Sequence, residues 1–273
     1  VTSYDIPADL LTAATRLRWL QYMGAGVERW LTPELRRSGI AITAAKGPMG
    51  VLMAEHVAAL LLALARDLGT FVRDQERRYW RPFHERRPFV ELSGKTIAVL
   101  GVGSVGSEVA RICGLGLRMR VLGIARTRRD APYVDRFFER ERLHDALAEA
   151  DVVTLTLPLT SVTERIMDAS AFAALKPGAF LINVARGQLV DEEALIASLR
   201  SGRLAGAGLD AFAVEPLPQT SPLWTMPNVI ITPHTSAITE RLGDHFVDFF
   251  RDNVRRFAEG QPLRGLVDTA AGY

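Results

Sequence analysis

The sequence predicts an α/β fold built on a doubly wound parallel sheet. Three observations predict it: strand-length apolar segments alternate with helical patterns from residue 96 onward, a glycine-rich GVGSVG joins the first segment to a helix, and the strands are apolar throughout rather than alternating. The expected strands are TIAVLG (96–101), RVLGIA (120–125), DVVTLTL (151–157), AFLINVA (179–185), GAGLDA (206–211) and NVIITP (228–233). Ahead of them the pattern reads as helical. MAEHVAALLLALARDLGTFVRDQERRYW (53–80) reads as one long helix, first apolar all round and then charged, buried either in its own core or between subunits. RPFHERRPFVELSGK (81–95) is polar and proline-containing and reads as a hinge. At 273 residues and 48% hydrophobic, the chain can bury one large core or two modest ones, and two domains are expected.

Composition excludes several classes of function. The 33 basic and 31 acidic residues are scattered along the chain, so no long basic run points to nucleic acid. Cys113 is the only cysteine, which rules out an intrachain disulfide or a cysteine zinc cluster. We therefore expect a reducing, cytoplasmic setting and no metal site. VAALLLALA (57–65) is too short to span a bilayer and is flanked by Glu55, His56, Arg66 and Asp67, so no membrane partner is expected. The chain opens at Val1 with neither methionine nor a signal-like segment, and an upstream part is expected.

GVGSVG follows a strand and opens a helix, which is the order of a dinucleotide-binding turn. Gly101 permits the tight turn, Gly103 lets backbone approach a pyrophosphate, and Gly106 allows close helix–strand packing. Ser104 and Val105 lie at the helix N-terminus, whose unpaired N–H groups face the phosphate. An enzyme that prefers NAD places an acid about 20 residues later to bind the adenine ribose. Here Ala125 holds that slot, and Arg126, Thr127, Arg128 and Arg129 follow it. Cationic forks and a hydroxyl suit the 2′-phosphate of NADP, and the missing carboxylate removes a repulsion against it. NADP is the expected cofactor, with NAD as the alternative if these arginines are only solvated surface.

Three later stretches carry polar groups at the carboxyl ends of expected strands, where open α/β sheets bind ligands. INVARGQLVDEEAL (182–195) holds Arg186, GAGLDAFAVEPL (206–217) holds Glu215, and NVIITPHTSAIT (228–239) holds His234. Together they are candidates for one site.

With GVGSVG, NVARGQLVDEEAL, LDAFAVEPL and TPHTS in that order, the sequence resembles the D-2-hydroxyacid dehydrogenase family over roughly residues 15 to 268. The ARTRR stretch is most similar to its NADPH-using glyoxylate and hydroxypyruvate reductases. The resemblance implies reduction of a small 2-oxo acid to a D-2-hydroxy acid. His234 would be the acid/base, Glu215 would orient its ring and balance its charge, and Arg186 would grip the substrate carboxylate and carbonyl. It also implies a substrate loop at Met23, Gly24, Ala25 and Gly26, whose backbone N–H groups hold the carboxylate. Asp210 matches the residue that holds the nicotinamide carboxamide. Leu157, Pro158, Val184, Ala185 and Ser236 match positions along the cofactor, with apolar surface against its rings. Residues 95–234 would form the Rossmann dinucleotide domain. Residues 1–94 and 235–273 would form a flavodoxin-like substrate domain, N-terminally incomplete because family members carry a further βα unit or two upstream. The 53–78 helix region would pair two copies in a homodimer.

Ala211 and Ala213 stand where larger residues are frequent in the family, and Lys46, Trp80 and Trp224 have no assigned role. Trp80, Trp224 and Met53 are expected to pack in a core or interface, with a part in shaping the substrate pocket as the alternative. Two other functions share the fold. Oxidation of another small acid is one, although related formate enzymes place Gln where Glu215 stands. The other is a nucleotide-sensing, corepressor-like binding protein, which would bind cofactor without turnover.

Overall fold

The computed structural model describes residues 2–3, 9–28, 30–47, 49–126 and 131–273. It contains two parallel sheets. The small one comprises β1 (Thr2–Ser3), β2 (Trp19–Tyr22) and β3 (Ala41–Ala44), in that spatial order. The large one comprises β4 (Thr96–Leu100), β5 (Arg120–Ala125), β6 (Arg136–Glu139), β7 (Val152–Leu155), β8 (Ala179–Asn183), β9 (Leu204–Leu209) and β10 (Val229–Ile231). Its order is β10-β9-β8-β7-β4-β5-β6, all parallel. The winding reverses between β4 and β7, so the loop that follows β4 opens at a topological switch point, the place where such sheets receive ligands.

Continuous apolar strands arise because both faces are covered. In β4, Ala98 and Leu100 point into one core and Ile97 and Val99 into the other. The first core is closed by the helices Leu143–Glu149, Ala169–Ala174 and Glu192–Arg200, through Leu147, Phe172 and Leu199 among others. The second is closed by Met49–Ala65 and Ser104–Arg111, through Val57, Leu61, Leu64 and Val109. Cys113 is buried there, and burial pushes its thiol up to about 12, so it is no nucleophile.

Several expectations are corrected. The single 53–80 helix is two helices, Met49–Ala65 and Leu68–Glu76, bent by 71°. At the joint Asp67 takes a left-handed φ of 57°, and its carboxylate accepts from the Thr70 hydroxyl at 2.9 Å and from Arg87 at 2.6 Å. Among the described residues no single helix is long and apolar enough to cross a membrane. The 81–95 stretch is fastened down rather than left as a hinge: Arg81 makes a bidentate pair with Asp74 at 2.7 and 2.8 Å, and Leu92 enters the second core. The expected boundary at residue 94 thus falls in a segment packed on the large sheet. Trp80 is 88% exposed and Trp224 52%, so neither is a core residue, while Met53 is half-buried against the second core.

Strands β1, β2, β3 and β6 lie outside the expected set. Strand β6 lies at a sheet edge and buries only Phe138, which leaves no apolar run to read. The small sheet carries polar side chains inside it. Thr43 Oγ1 donates to Gln21 Oε1 at 2.8 Å and accepts from Trp19 Nε1 at 2.8 Å. Asn253, on the C-terminal helix Leu242–Ala258, donates to Gln21 Oε1 and to the Arg264 carbonyl, both at 3.0 Å. Trp19 also stacks on Phe250 and Phe257 of that helix.

Candidate active site

Strand β4 delivers the chain to Gly101, whose φ of +97° and close approach to Leu157 demand glycine: a Cβ there would stand 2.7 Å from the Leu157 backbone. Gly106 is packed against the Gly101 carbonyl, which also accepts from Thr156 Oγ1 at 2.6 Å. Gly103 caps the Ser104–Arg111 helix without a side-chain bond, and nothing lies within 4 Å of where its Cβ would be. Open space therefore faces unpaired helix N–H groups, and this fits a dinucleotide's phosphates. Val105 turns into the second core, and Ser104 Oγ donates to the Lys46 carbonyl at 2.7 Å.

At the end of β5, Arg126 is exposed, with its guanidinium carbon 5.9 Å from the Tyr273 ring centre. Thr127, Arg128 and Arg129 lie outside the described residues. Pro158 is exposed at the loop after β7, whereas Leu157, Val184 and Ala185 are buried in the two cores.

Arg186, Glu215 and His234 follow β8, β9 and β10, three neighbouring strands, so they share one edge of the sheet. His234 Nδ1 lies 2.8 Å from Glu215 Oε2, and Glu215 Oε1 accepts from the Phe212 N–H at 2.9 Å. The carboxylate is held from both sides. His234 has a left-handed φ of 54°, fixed by its N–H donating to the carbonyls of Asp210 at 2.9 Å and Thr232 at 3.0 Å.

Asp210 is fully buried and accepts from the Thr232 hydroxyl at 2.6 Å and from the N–H groups of Thr235 and Ser236 at 2.8 and 2.9 Å. Burial pushes its carboxyl up, but these bonds outweigh burial and hold it below the usual range. His56 completes this network, with Nε2 3.0 Å from Thr232 Oγ1. Ser236 thus braces Asp210, and Asp210 braces the turn that carries His234.

Arg186 is positioned by its own turn: Asn183 Nδ2 donates to the Arg186 carbonyl at 2.9 Å, and Arg186 Nη1 donates to the Ala185 carbonyl at 2.7 Å. Its Nε makes a short ion pair with Glu28, which lies two residues beyond the expected substrate loop. A Cβ at Gly26 would collide with Arg186 Nη2, so the loop approaches the guanidinium because it is glycine there. Gly24 abuts the Tyr22 ring, its carbonyl accepts from the Ala45 N–H at 2.9 Å, Met23 packs against the Phe246 and Phe249 cluster, and Ala25 is exposed. Sequence reasoning missed Glu28 and His56. Only Glu28 had a signal, as an acid next to the GAG loop. Among the described residues no group of three or more His, Cys, Asp or Glu side chains could hold a metal ion.

Comparison with known proteins supplies context. Residues 58–236 match the family described as D-isomer specific 2-hydroxyacid dehydrogenase, NAD binding domain. The chain is 33% identical over 98% of its length to glyoxylate/hydroxypyruvate reductase A of Photorhabdus laumondii, covering 85% of that protein. It superposes with a TM-score of 0.88 on a D-isomer specific 2-hydroxyacid dehydrogenase from Xanthobacter autotrophicus Py2 in complex with NADPH and MES, at 36% identity, covering all of this chain and 84% of the other. A Sinorhizobium meliloti NADPH-dependent glyoxylate/hydroxypyruvate reductase in complex with NADP and sulfate is similar at 30% identity, TM-score 0.86, with coverage of 100% and 85%.

Proposed function

The chain belongs to the D-isomer specific 2-hydroxyacid dehydrogenase family and is an NAD(P)-dependent enzyme, and from that premise we propose that it reduces a small 2-oxo acid, glyoxylate or hydroxypyruvate, with preference for NADPH. The observation that carries this reading is the His234–Glu215 pair, 2.8 Å apart at the carboxyl edge of the large sheet. Relatives named for glyoxylate and hydroxypyruvate reduction, and neighbours crystallised with NADPH or NADP, support the substrate class and the cofactor.

Bound NADPH supplies the hydride for the carbonyl carbon. The chain's residues handle everything else. His234 donates a proton from Nε2 to the carbonyl oxygen as negative charge develops there, while Glu215 holds the opposite nitrogen and balances the imidazolium. Arg186 binds the substrate carboxylate with a rigid fork, and the Met23–Gly26 loop adds backbone N–H donors. The resemblance assigns Asp210 to the nicotinamide carboxamide, but its carboxylate is fully buried and taken by Thr232, Thr235 and Ser236, so it acts by bracing the turn that carries His234. Gly101, Gly103 and Gly106 shape the phosphate cradle, and Arg126, Thr127 and Arg128 receive the 2′-phosphate. Residues 49–94 go with the large sheet, and the small sheet with the C-terminal helix closes over the cleft. A homodimer fits the outer face of the bent helix pair, where Leu62, Leu68 and Val72 are exposed.

The test is the initial rate of cofactor oxidation with glyoxylate and hydroxypyruvate, with NADPH and NADH side by side. Turnover that favours NADPH is expected. Tight cofactor binding without turnover of any 2-oxo acid would replace the enzyme reading with a nucleotide sensor.

A further inference from the structure

Two side chains outside the proposed machinery meet at the cofactor end of the cleft. Lys46 follows β3 in the small sheet, and its Nζ lies 5.7 Å from the centre of the Tyr273 ring. Arg126 follows β5 in the large sheet, and its guanidinium carbon lies 5.9 Å from the same ring. The ring thus bridges one cation from each sheet. The approach is not incidental to a loose tail. Asp268 Oδ1 accepts from the N–H groups of Ala270 and Ala271 at 3.0 and 2.9 Å, the Asp268 N–H donates to the Tyr273 carbonyl at 2.9 Å, and the Gly272 N–H donates to the Asp268 carbonyl at 2.8 Å. Val267 N–H, just before this turn, donates to the Ile42 carbonyl of β3 at 2.8 Å. Tyr273 is therefore carried by the small sheet and presented across the cleft.

The backbone of Lys46 is anchored at the same place. Its carbonyl accepts from Ser104 Oγ at 2.7 Å, and Ser104 opens the helix that faces the phosphate cradle. Arg126 has no carboxylate partner among the described residues. Two cations drawn to one ring repel each other, and an anion between them converts that repulsion into attraction. Arg126 stands at the end of the second Rossmann strand, beside the adenine ribose position, and this favours the 2′-phosphate over the pyrophosphate.

We propose that Lys46 and Tyr273 complete, from the small sheet, a latch with Arg126 that closes on the 2′-phosphate of NADP(H). The proposal rests on the dinucleotide-binding reading of the cleft. It adds that cofactor choice and approach of the two sheets are one event: the phosphate that distinguishes NADPH from NADH is what draws Lys46 and Arg126 together. The Tyr273 ring faces both cations and holds them toward the same phosphate.

The experiment is fluorescence titration of the whole chain with NADPH and with NADH, for the wild type, Lys46→Met, Tyr273→Ala and Tyr273→Phe. Lys46→Met is expected to weaken NADPH binding about tenfold, the loss of one charge-assisted contact, with NADH affinity unchanged. Tyr273→Ala is expected to weaken NADPH alone by about threefold, and Tyr273→Phe to behave as wild type, since the ring and not the hydroxyl acts. Unchanged NADH binding shows that each variant is folded. Equal losses for both cofactors, or no loss for either, overturn the latch. A wild type that binds neither nucleotide overturns the dinucleotide reading itself, and that failure is visible before any variant is measured.

Discussion

The two parallel sheets solve the same problem in different materials. The large sheet is covered on both sides by apolar clusters. The small sheet has a compact apolar core around Leu20, Val27, Leu35 and Ile42, but its link to the C-terminal helix joins the Trp19 stack on Phe250 and Phe257 to Gln21, Thr43 and Asn253, all three buried and polar. Apolar packing tolerates small rearrangements, whereas a buried polar network requires every partner. The large sheet accordingly sets the strand ends that carry Arg186, Glu215 and His234. The small sheet brings Glu28 to Arg186 and Lys46 to Ser104 at that fixed edge.

The largest expected effect lies on the large sheet. His234→Gln should lower the reduction rate by roughly 10²–10⁴, the range for a general acid, while leaving cofactor affinity near wild type in the same titration. A rate within tenfold of wild type would break the assignment of chemistry to that edge.

Next comes the polar link of the small sheet. Asn253→Ala removes three hydrogen bonds and leaves the Arg264 N–H without its acceptor. It should cost about 2–3 kcal/mol in urea unfolding. An unchanged denaturation midpoint would mean that apolar contacts suffice there, as they do in the large sheet.

A smaller effect, opposite in sign, is expected where the sheets meet. Glu28 holds Arg186 with the same chemical group that a substrate would bring, so the two compete for one guanidinium. Glu28→Gln should therefore lower KM for glyoxylate by roughly threefold to tenfold with kcat little changed, the loss of about one charge-assisted contact. A raised KM would show instead that Glu28 positions Arg186 for substrate.

The smallest effect concerns acid. Arg256, then Arg255 and Arg264, hold the Asp252 carboxyl at about 2, below its ordinary 3.8. A folded value below the ordinary one means that this contribution is complete above 3.8 and is lost as pH falls towards about 2. Asp252→Asn should flatten the fall in melting temperature across that window. An unaltered slope would show that the C-terminal helix does not depend on this cluster.

Much of this molecule was legible in the chain. Near-continuous apolar strands identified the doubly buried sheet because hydrophobic burial on both faces leaves no alternation, and GVGSVG marked the switch point because the turn, the close approach and the helix packing each demand glycine locally. The residues Arg186, Glu215 and His234 could be named for the same reason, since each stands just beyond a strand end. Less legible were elements whose sequence is not apolar. Strand β6 buries one side chain, and β2 and β3 hide Gln21 and Thr43, so no periodic pattern announced them. The bend at Asp67 depends on Arg87 reaching back to its carboxylate, a contact no helical period encodes. Tertiary structure alone decided the pairings across the cleft. Glu28 meets Arg186 and Lys46 meets Tyr273 across long stretches of chain, because two sheets that fold around separate cores bring their loops to a common edge. Local sequence sets which groups stand at a strand end, and the packing of one core against another sets which of them touch.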